Sequence, residues 1–440
     1  MLGKVGCAAG LAERSVDGAD YRIEVVEPDS SRKKIAFGVP ANFIPRHVLL
    51  GLLAEQAAAT PGLQLLLGVS GLCIAREPAG EAGEEGLLVT ARAADGGRIA
   101  LRPRLLAGAD GLGSAVRAAC REWAAEDGQP DRFQMVEFPS PAGGLRYKVL
   151  SLPPALPLGR PGNGPVAEAE PAVGYVFAGR SASPTRRLRI GLLPVADASS
   201  PRTGNLIARP SHALWAARSA QDLWALLEEN FPQLSVREVL PQPECEAIAA
   251  ADGGVFPQPQ AASAASLVLR GGRCGVALLG DALHSFPPDV GQGVNSALQD
   301  AEALAAALTT AEAPGSQPGP PPSLAGALTE YERARLPEAH ALARLVQFAH
   351  PYQYTQDQLR KNAWTCVFVW RALLARAVPW AFKPHVFARI FPEPQLSYQE
   401  LLKDEEMSAR RAVLVAIGLA AAAAWAFAAA LRWAVAAFAS

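Results

Sequence analysis

The chain lacks the material for a metal site or a disulfide framework. Its six cysteines, Cys7, Cys73, Cys120, Cys245, Cys274 and Cys366, are scattered. None forms a C-x-x-C pair, and no Cys/His cluster has metal-ligand spacing, so no metal is expected. This usage suits a reducing compartment. An excess of one charge is also missing. Lys+Arg 41 against Asp+Glu 42 leave a formal net charge of −1, which argues against a nucleic-acid partner. The short basic run Arg186-Arg187-Leu188-Arg189 alternates like the exposed face of a strand. Met1–Gly10 has no basic stretch followed by an apolar one, so no secretory signal is expected there. No Ser-His-Asp or Cys-His spacing stands out, and no conventional triad is expected.

Apolar residues are plentiful, at 50% of the chain. Much of the surplus lies in 412–431, an uncharged stretch long enough to cross a bilayer core as a helix. Arg410 and Arg411 precede it, Arg432 follows, and Trp425 and Trp433 stand near one end. These flanks favour a single-pass anchor over a buried core helix, with the bulk of the protein on the cytosolic side.

The 440 residues suggest two to three domains. A helix is expected from Pro45 to Ala58, with Val48, Leu49, Leu52 and Leu53 on one face. Short β-like runs follow at Leu63–Leu67, Leu72–Arg76, Leu87–Ala93 and Arg98–Leu101, then a buried strand at Arg104–Ala109. A second sheet region carries strands at Leu145–Leu152, Val173–Ala178 and Leu188–Leu193, and a helix at Ala220–Asn230. Pro153–Pro165 and Pro314–Pro322 read as surface loops. Helices are expected at Leu324–Phe348 and Trp364–Val378, the latter lying either in a membrane interface or on the main domain.

Two motifs carry chemistry. Val276-Ala277-Leu278-Leu279 delivers a loop that begins Gly280-Asp281-Ala282-Leu283-His284 and passes through Pro287 and Pro288. It reaches Gly291-Gln292-Gly293-Val294-Asn295 at the start of an Ala-rich helix pattern. Glycines allow close backbone approach, and a helix N-terminus offers free N–H groups and positive potential to an anionic or polar ligand. The second motif is Gly108-Ala109-Asp110-Gly111, again after an apolar strand, followed by Ser114 and Arg117. His284 reads as a structural hydrogen-bonding residue. His47 and His340 read as helix-face residues.

In this order and at this distance, the two motifs resemble the flavoprotein monooxygenases with the p-hydroxybenzoate hydroxylase fold. The resemblance implies an α/β fold with a Rossmann-like FAD-binding domain, an inserted β-sheet substrate domain and a C-terminal transmembrane helix. The expected boundaries are 1–132 and 261–348 for the two FAD-binding parts, 133–260 for the substrate sheet, 349–409 for a helical region and 410–432 for the anchor. It further implies that Asp110 and Gly111 contact FAD and the nicotinamide, and that Gly280 and Asp281 hold the ribityl chain. Gly291, Gln292, Gly293, Val294 and Asn295 would sit at the pyrimidine end, which gains negative charge on reduction. Pro288 would line the flavin face, Asn295 would lie near it, and Arg46 would contact FAD. NADPH or NADH would reduce the flavin, oxygen would add at C4a, and one oxygen atom would pass to an aromatic substrate held near Leu145–Leu152.

Within that family, the local runs Tyr147-Lys148-Val149-Leu150, Asn230-Phe231-Pro232, Tyr331-Glu332-Arg333-Ala334-Arg335 and Ser397-Tyr398-Gln399-Glu400 resemble the kynurenine 3-monooxygenases. Two departures stand out. Phe348 and His350 occupy positions where those enzymes place tyrosines, so another aromatic substrate fits about as well. The family opens with a strand, a G-x-G-x-x-G loop and a helix, which hold the FAD pyrophosphate. Here Gly3-Lys4-Val5-Gly6-Cys7-Ala8-Ala9-Gly10 has no strand before it. Tyr21–Glu27 is a poor second strand because Glu27 lies close to Arg46, so the first βαβ unit is expected to be missing. That motivates a competing reading, a degenerate flavoprotein acting as a membrane-anchored interaction protein. A third reading is epoxidation of a membrane lipid. Mitochondrial outer membrane, endoplasmic reticulum and plastid envelope all remain open as destinations.

Overall fold

The computed structural model describes residues 2–36, 41–78, 84–159, 167–183, 186–309, 323–354, 357–393 and 395–438. The Pro314–Pro322 loop lies outside them. The chain opens with α1 (Ala8–Arg14), β1 (Val16–Asp17), β2 (Arg22–Val26), β3 (Arg32–Ala36), β4 (Asn42–Phe43) and α2 (Arg46–Ala59). An antiparallel meander of β5 (Ser70–Glu77), β6 (Gly86–Arg92) and β7 (Arg98–Leu101) leads to β8 (Leu105–Gly108) and α3 (Ala115–Glu126). The middle holds β9 (Met135–Glu137), β10 (Arg146–Leu152), β11 (Gly174–Ala178), β12 (Arg189–Leu192) and β13 (Arg202–Ala208). Helices α4 (Ala220–Asn230), α5 (Val236–Val239) and α6 (Gln242–Ala250) follow, then β14 (Gly254–Val255). The last third runs through β15 (Gln260–Ala262), β16 (Ser266–Val268), β17 (Gly275–Leu278) and β18 (His284–Ser285). It ends in α7 (Gly293–Leu308), α8 (Leu324–Ala349), α9 (Gln358–Ala377) and α10 (Tyr398–Phe438).

The fold is mixed α/β. A seven-stranded sheet in the order β14-β10-β13-β12-β11-β2-β3 carries the largest core. Strand β10 alternates as a half-buried strand should, with Lys148, Leu150 and Leu152 inward and Val149 and Ser151 outward. Buried Lys148 places its ammonium on the carbonyls of Ile248 (2.7 Å) and Ala249 (3.0 Å). A cation there complements the last carbonyls of α6. Helix α4 starts where expected because Ser219 accepts the N–H of Asp222, and Leu223, Trp224, Leu226 and Leu227 face the sheet.

A smaller sheet, β16-β17-β8, positions the site. Strands β8 and β17 are parallel, pairing Gly108 with Leu278. Helix α8 packs on both β15 and β16. Its buried positions Leu328, Tyr331, Arg335, Leu342, Leu345 and Ala349 repeat at spacings of three, four and seven residues.

Three sequence expectations change. The β2–β3 hairpin, assigned by position to the first FAD-binding part, is hydrogen-bonded into the seven-stranded sheet, with β2 parallel to β11. Val26 is buried in that core, and Glu27 accepts from Lys33 (2.8 Å) rather than ending a nucleotide-binding strand. Leu63–Leu67 is irregular, and its leucines at 63, 65, 66 and 67 are exposed, because no described strand pairs with it. The apolar stretch at 412–431 is the second part of one helix beginning at Tyr398, so the boundary at 410 falls inside α10.

Candidate flavin site

The loops that follow β8 and β17 leave adjacent parallel strands from their carboxyl ends, where α/β sheets bind ligands. Gly108 ends β8 because no side chain fits there: a Cβ would lie 2.7 Å from the Val116 side chain. Gly111 turns with φ +81°, a conformation that favours glycine. Asp110 accepts from the Ser114 hydroxyl (2.6 Å) and from the Val116 N–H (3.1 Å), and Ser114 in turn caps α3 through the Arg117 N–H (2.9 Å). Asp110 therefore shapes its own loop and keeps an exposed face.

Arg117 joins the two loops. Its guanidinium donates to the Leu112 carbonyl (2.6 Å) and across to the Ala282 carbonyl (2.7 Å). Burial lowers its pKa, and Asp110 partly offsets that. Arg117→Ala is expected to lower stability by about 1.5–3 kcal/mol, because the charge-assisted bond to the carbonyl of buried Ala282 is lost together with the more exposed one to Leu112. Arg117→Lys should recover only part, since a single ammonium does not span the fork. Urea unfolding checks both.

The second loop is anchored from below. Asp300 on α7 is fully buried and accepts from the Gly280 N–H (2.8 Å) and from Arg335 Nε on α8 (2.8 Å). His284 Nε2 lies 2.8 Å from the same carboxylate and 3.2 Å from the Ser296 hydroxyl. His284 is thus a structural residue, as its sequence context suggested. Sequence reasoning missed Asp300. The signal was an acid inside the Ala-rich helix pattern, followed by an arginine-bearing helix.

The predicted contact residues differ in exposure. Asp281, Pro288, Gly291, Val294 and Asn295 are exposed, while Gly280, Asp289 and Gln292 are buried. Asp281 forms no hydrogen bond or ion pair among the described residues. Gly291 has φ +59°. Gln292 precedes α7 and provides no side-chain cap, so the first N–H groups of a 16-residue helix remain open to a ligand. Its amide oxygen instead takes the Asn295 amide (3.2 Å) and the Tyr398 hydroxyl (3.2 Å). Arg46 stands apart. It is exposed at the start of α2, which packs on α1, and no hydrogen bond joins it to either loop.

Asp289 is a site residue that sequence reasoning passed over. It is 5% exposed, and among the described residues neither carboxylate oxygen meets a donor in hydrogen-bond geometry. Burial pushes its pKa up to about 7, while the nearby Tyr354 hydroxyl and Gln353 amide draw it down. Tyr354 packs on Phe256 (5.6 Å between rings), and Phe256 on Tyr147 of β10 (5.1 Å). This aromatic cluster links the Pro288 loop to the large sheet. Beside it opens a cavity of about 500 Å³ lined by Leu145, Arg209, Ser211, Tyr352 and Arg360.

An FAD isoalloxazine and ribityl chain fit these features. The helix start suits a ring that gains negative charge, and the unpaired Asp281 suits hydroxyls. Among the described residues, no strand pairs with the second edge of β8, and no glycine loop for a pyrophosphate stands beside it.

Residues 258–345 match the family described as FAD binding domain. Over 155 residues the chain is 32% identical to a kynurenine 3-monooxygenase of Salinispora arenicola, covering 34% of this chain and 31% of that protein. Over 81 residues it is 37% identical to the chloroplastic zeaxanthin epoxidase of Prunus armeniaca, covering 18% of this chain and 12% of that protein. The matched part thus spans about a third or less of the length of these relatives. A solved structure of Pseudomonas aeruginosa PqsL in complex with 2-aminobenzoylacetate is similar at 21% identity, over 83% of this chain and 85% of that one, with a TM-score of 0.47.

Proposed function

We propose that this chain, a relative of the FAD-dependent aromatic monooxygenases with the p-hydroxybenzoate hydroxylase fold, hydroxylates a small aromatic substrate with FAD, NAD(P)H and molecular oxygen. The observation that carries the reading is the pair of loops at the ends of β8 and β17, joined by Arg117, with Asp281 exposed and the start of α7 uncapped by a side chain.

In this reading Asp281 holds the ribityl hydroxyls, and Asp110 with Gly111 approaches from the neighbouring strand. The N–H groups of Gly293, Val294 and Asn295 face the pyrimidine end of the ring. Bound FAD supplies the chemistry, passing electrons from the nicotinamide to oxygen. The protein's part is placement and water exclusion. Pro288 supplies a rigid wall, and the Tyr147–Phe256–Tyr354 cluster closes the substrate side. Asp289 can accept a hydrogen bond from a substrate hydroxyl or amine. Helix α10 contains one stretch long and apolar enough to cross a membrane, of mean hydropathy 2.2 and 6% buried. We take it as a single-pass anchor with the bulk facing the cytosol.

The test is direct. The full chain, extracted in mild detergent and supplied with FAD, should show flavin absorbance bands that NADPH or NADH bleaches and oxygen restores. Asp281→Ala should weaken flavin retention at least tenfold, as expected for lost hydrogen bonds to a bound ligand. A folded protein that takes up no flavin would sink the enzyme reading in favour of a membrane-anchored interaction protein. Turnover of kynurenine against a panel of phenols and isoprenoid alkenes identifies the substrate class. The segment shared with zeaxanthin epoxidase makes epoxidation of an alkene the second reading.

A further inference from the structure

We propose that a cavity between α8 and α10 binds the phosphate-bearing headgroup of an anionic phospholipid. The inference rests on the reading of α10 as a membrane anchor. The cavity measures about 690 Å³, within the range of small-ligand sites, and its charged walls are Arg344 on α8 with Lys403, Glu406 and Arg410 on α10.

The charges do not cancel. Among the described residues Glu406 is the one acid lining the cavity, and it is shared between Arg344 (2.7 Å) and Arg410 (3.9 Å). Lys403 is exposed and has no ion-pair partner among the described residues. Three cations therefore face one carboxylate. The other acids of this part of α10 are engaged elsewhere: Asp404 pairs with Arg389 (3.0 Å), and buried Glu405 pairs with Arg371. Glu338 on α8 is taken by the Tyr398 N–H and the Gln399 amide, both at 2.7 Å. His340 also lines the cavity, with its Nε2 2.9 Å from the Ala262 carbonyl.

The height of the cavity is what points to a lipid. Lys403, Glu406, Met407 and Arg410 recur at helical spacing, so they form one stripe. Val413, Leu414 and Ile417 follow on the same helix and are exposed. At 1.5 Å per residue, Arg410 stands about 6 Å along the axis from Leu414. Arg410 therefore lies about one turn outside the apolar stretch and Lys403 about three turns outside it, on the headgroup side rather than among acyl chains. Met407, Leu402 and Ala341 add apolar wall beside the charges. A soluble phosphate would need no such neighbour, whereas a lipid needs both. Basic clusters at this depth favour anionic lipids by about 1 kcal/mol per residue.

The experiment uses the full chain and two vesicle compositions, phosphatidylcholine alone and phosphatidylcholine containing phosphatidylglycerol, compared by flotation. The expected result is a preference of roughly tenfold or more for the phosphatidylglycerol vesicles. The triple variant Arg344→Gln, Lys403→Gln, Arg410→Gln should abolish it. Lys403→Gln alone, which breaks no pair, should lower it measurably. A control triple variant at Arg186, Arg218 and Arg273 should leave it unchanged. Inorganic phosphate should not reduce it beyond chloride at equal ionic strength. Equal binding to both vesicles overturns the headgroup site but leaves the anchor reading intact. Binding to neither overturns the anchor and the inference with it. Loss of preference in the control variant, or specific competition by phosphate, also overturns the proposal.

Discussion

Asp300→Ala should destabilise the protein by about 3–5 kcal/mol, the range for removing one partner of a buried ion pair. The carboxylate is fully buried and serves the Gly280 N–H, Arg335 and His284 at once. Its removal leaves the Arg335 guanidinium, itself 7% exposed, without its ionic partner. The Gly280 N–H loses its acceptor as well, so the loop that carries Asp281 loosens and flavin retention should fall with stability. Asp300→Asn keeps an acceptor but not the charge, and should recover part of the loss. Arg333→Ala is the control: its pair with Glu330 is exposed on both sides and screened by solvent, so stability should hardly change. Denaturant midpoints and flavin content measure all three. An Asp300→Ala protein as stable as the parent would show that the network does not hold the loop.

Asp289 should make stability fall as pH rises. Its pKa stands at about 7 in the folded protein against an ordinary value of 3.8. Between those values the folded state keeps a proton that the unfolded chain has released. The contribution is therefore fully present below the ordinary carboxylate range and is lost progressively up to about pH 7. The whole change is on the order of 4 kcal/mol, about 1.4 per unit. Asp289→Asn cannot ionise and should remove this slope, so its advantage over the parent should grow with pH. Urea unfolding at about pH 5 and about pH 8 decides it. A constant difference between the two proteins across that interval would mean that Asp289 stays ionised throughout.

Both predictions concern residues that reading along the chain did not single out. The motif loops were legible because they depend on local rules. Glycine at 108 and 111 answers to close packing and a positive φ, and an apolar strand followed by Gly-Asp needs no distant partner to be recognised. Helices α4 and α8 were legible by periodicity, and the second part of α10 by uninterrupted apolarity. Asp300, Arg335 and Asp289 were hidden because their importance lies in what surrounds them. An acid in an Ala-rich helix reads as a solvated residue until α8 is laid over it. Strand β13 was missed because Arg202-Thr203-Gly204-Asn205 looks like a turn. It is a strand because β10 and β12 flank it on either side, and buried Arg202 donates to the Val173 carbonyl (2.7 Å).

The amino-acid sequence alone determined where ligand-holding loops occur, which helix has the length and apolarity of an anchor, and which flavoprotein family the motifs resemble. These follow from short-range chemistry: turn geometry, helix ends and residue transfer energies. Tertiary structure decided that β2 and β3 join the large sheet and that Leu63–Leu67 stays unpaired. It also decided that Arg117 reaches the Ala282 carbonyl, 165 positions away in sequence, and so couples the two loops. Strand partnership depends on hydrogen bonds between distant segments, and a single strand's pattern does not encode its neighbour. Electrostatic roles followed the same division. Whether a carboxylate is a solvated charge, a buried anchor like Asp300 or a proton holder like Asp289 depends on desolvation, which only packing creates.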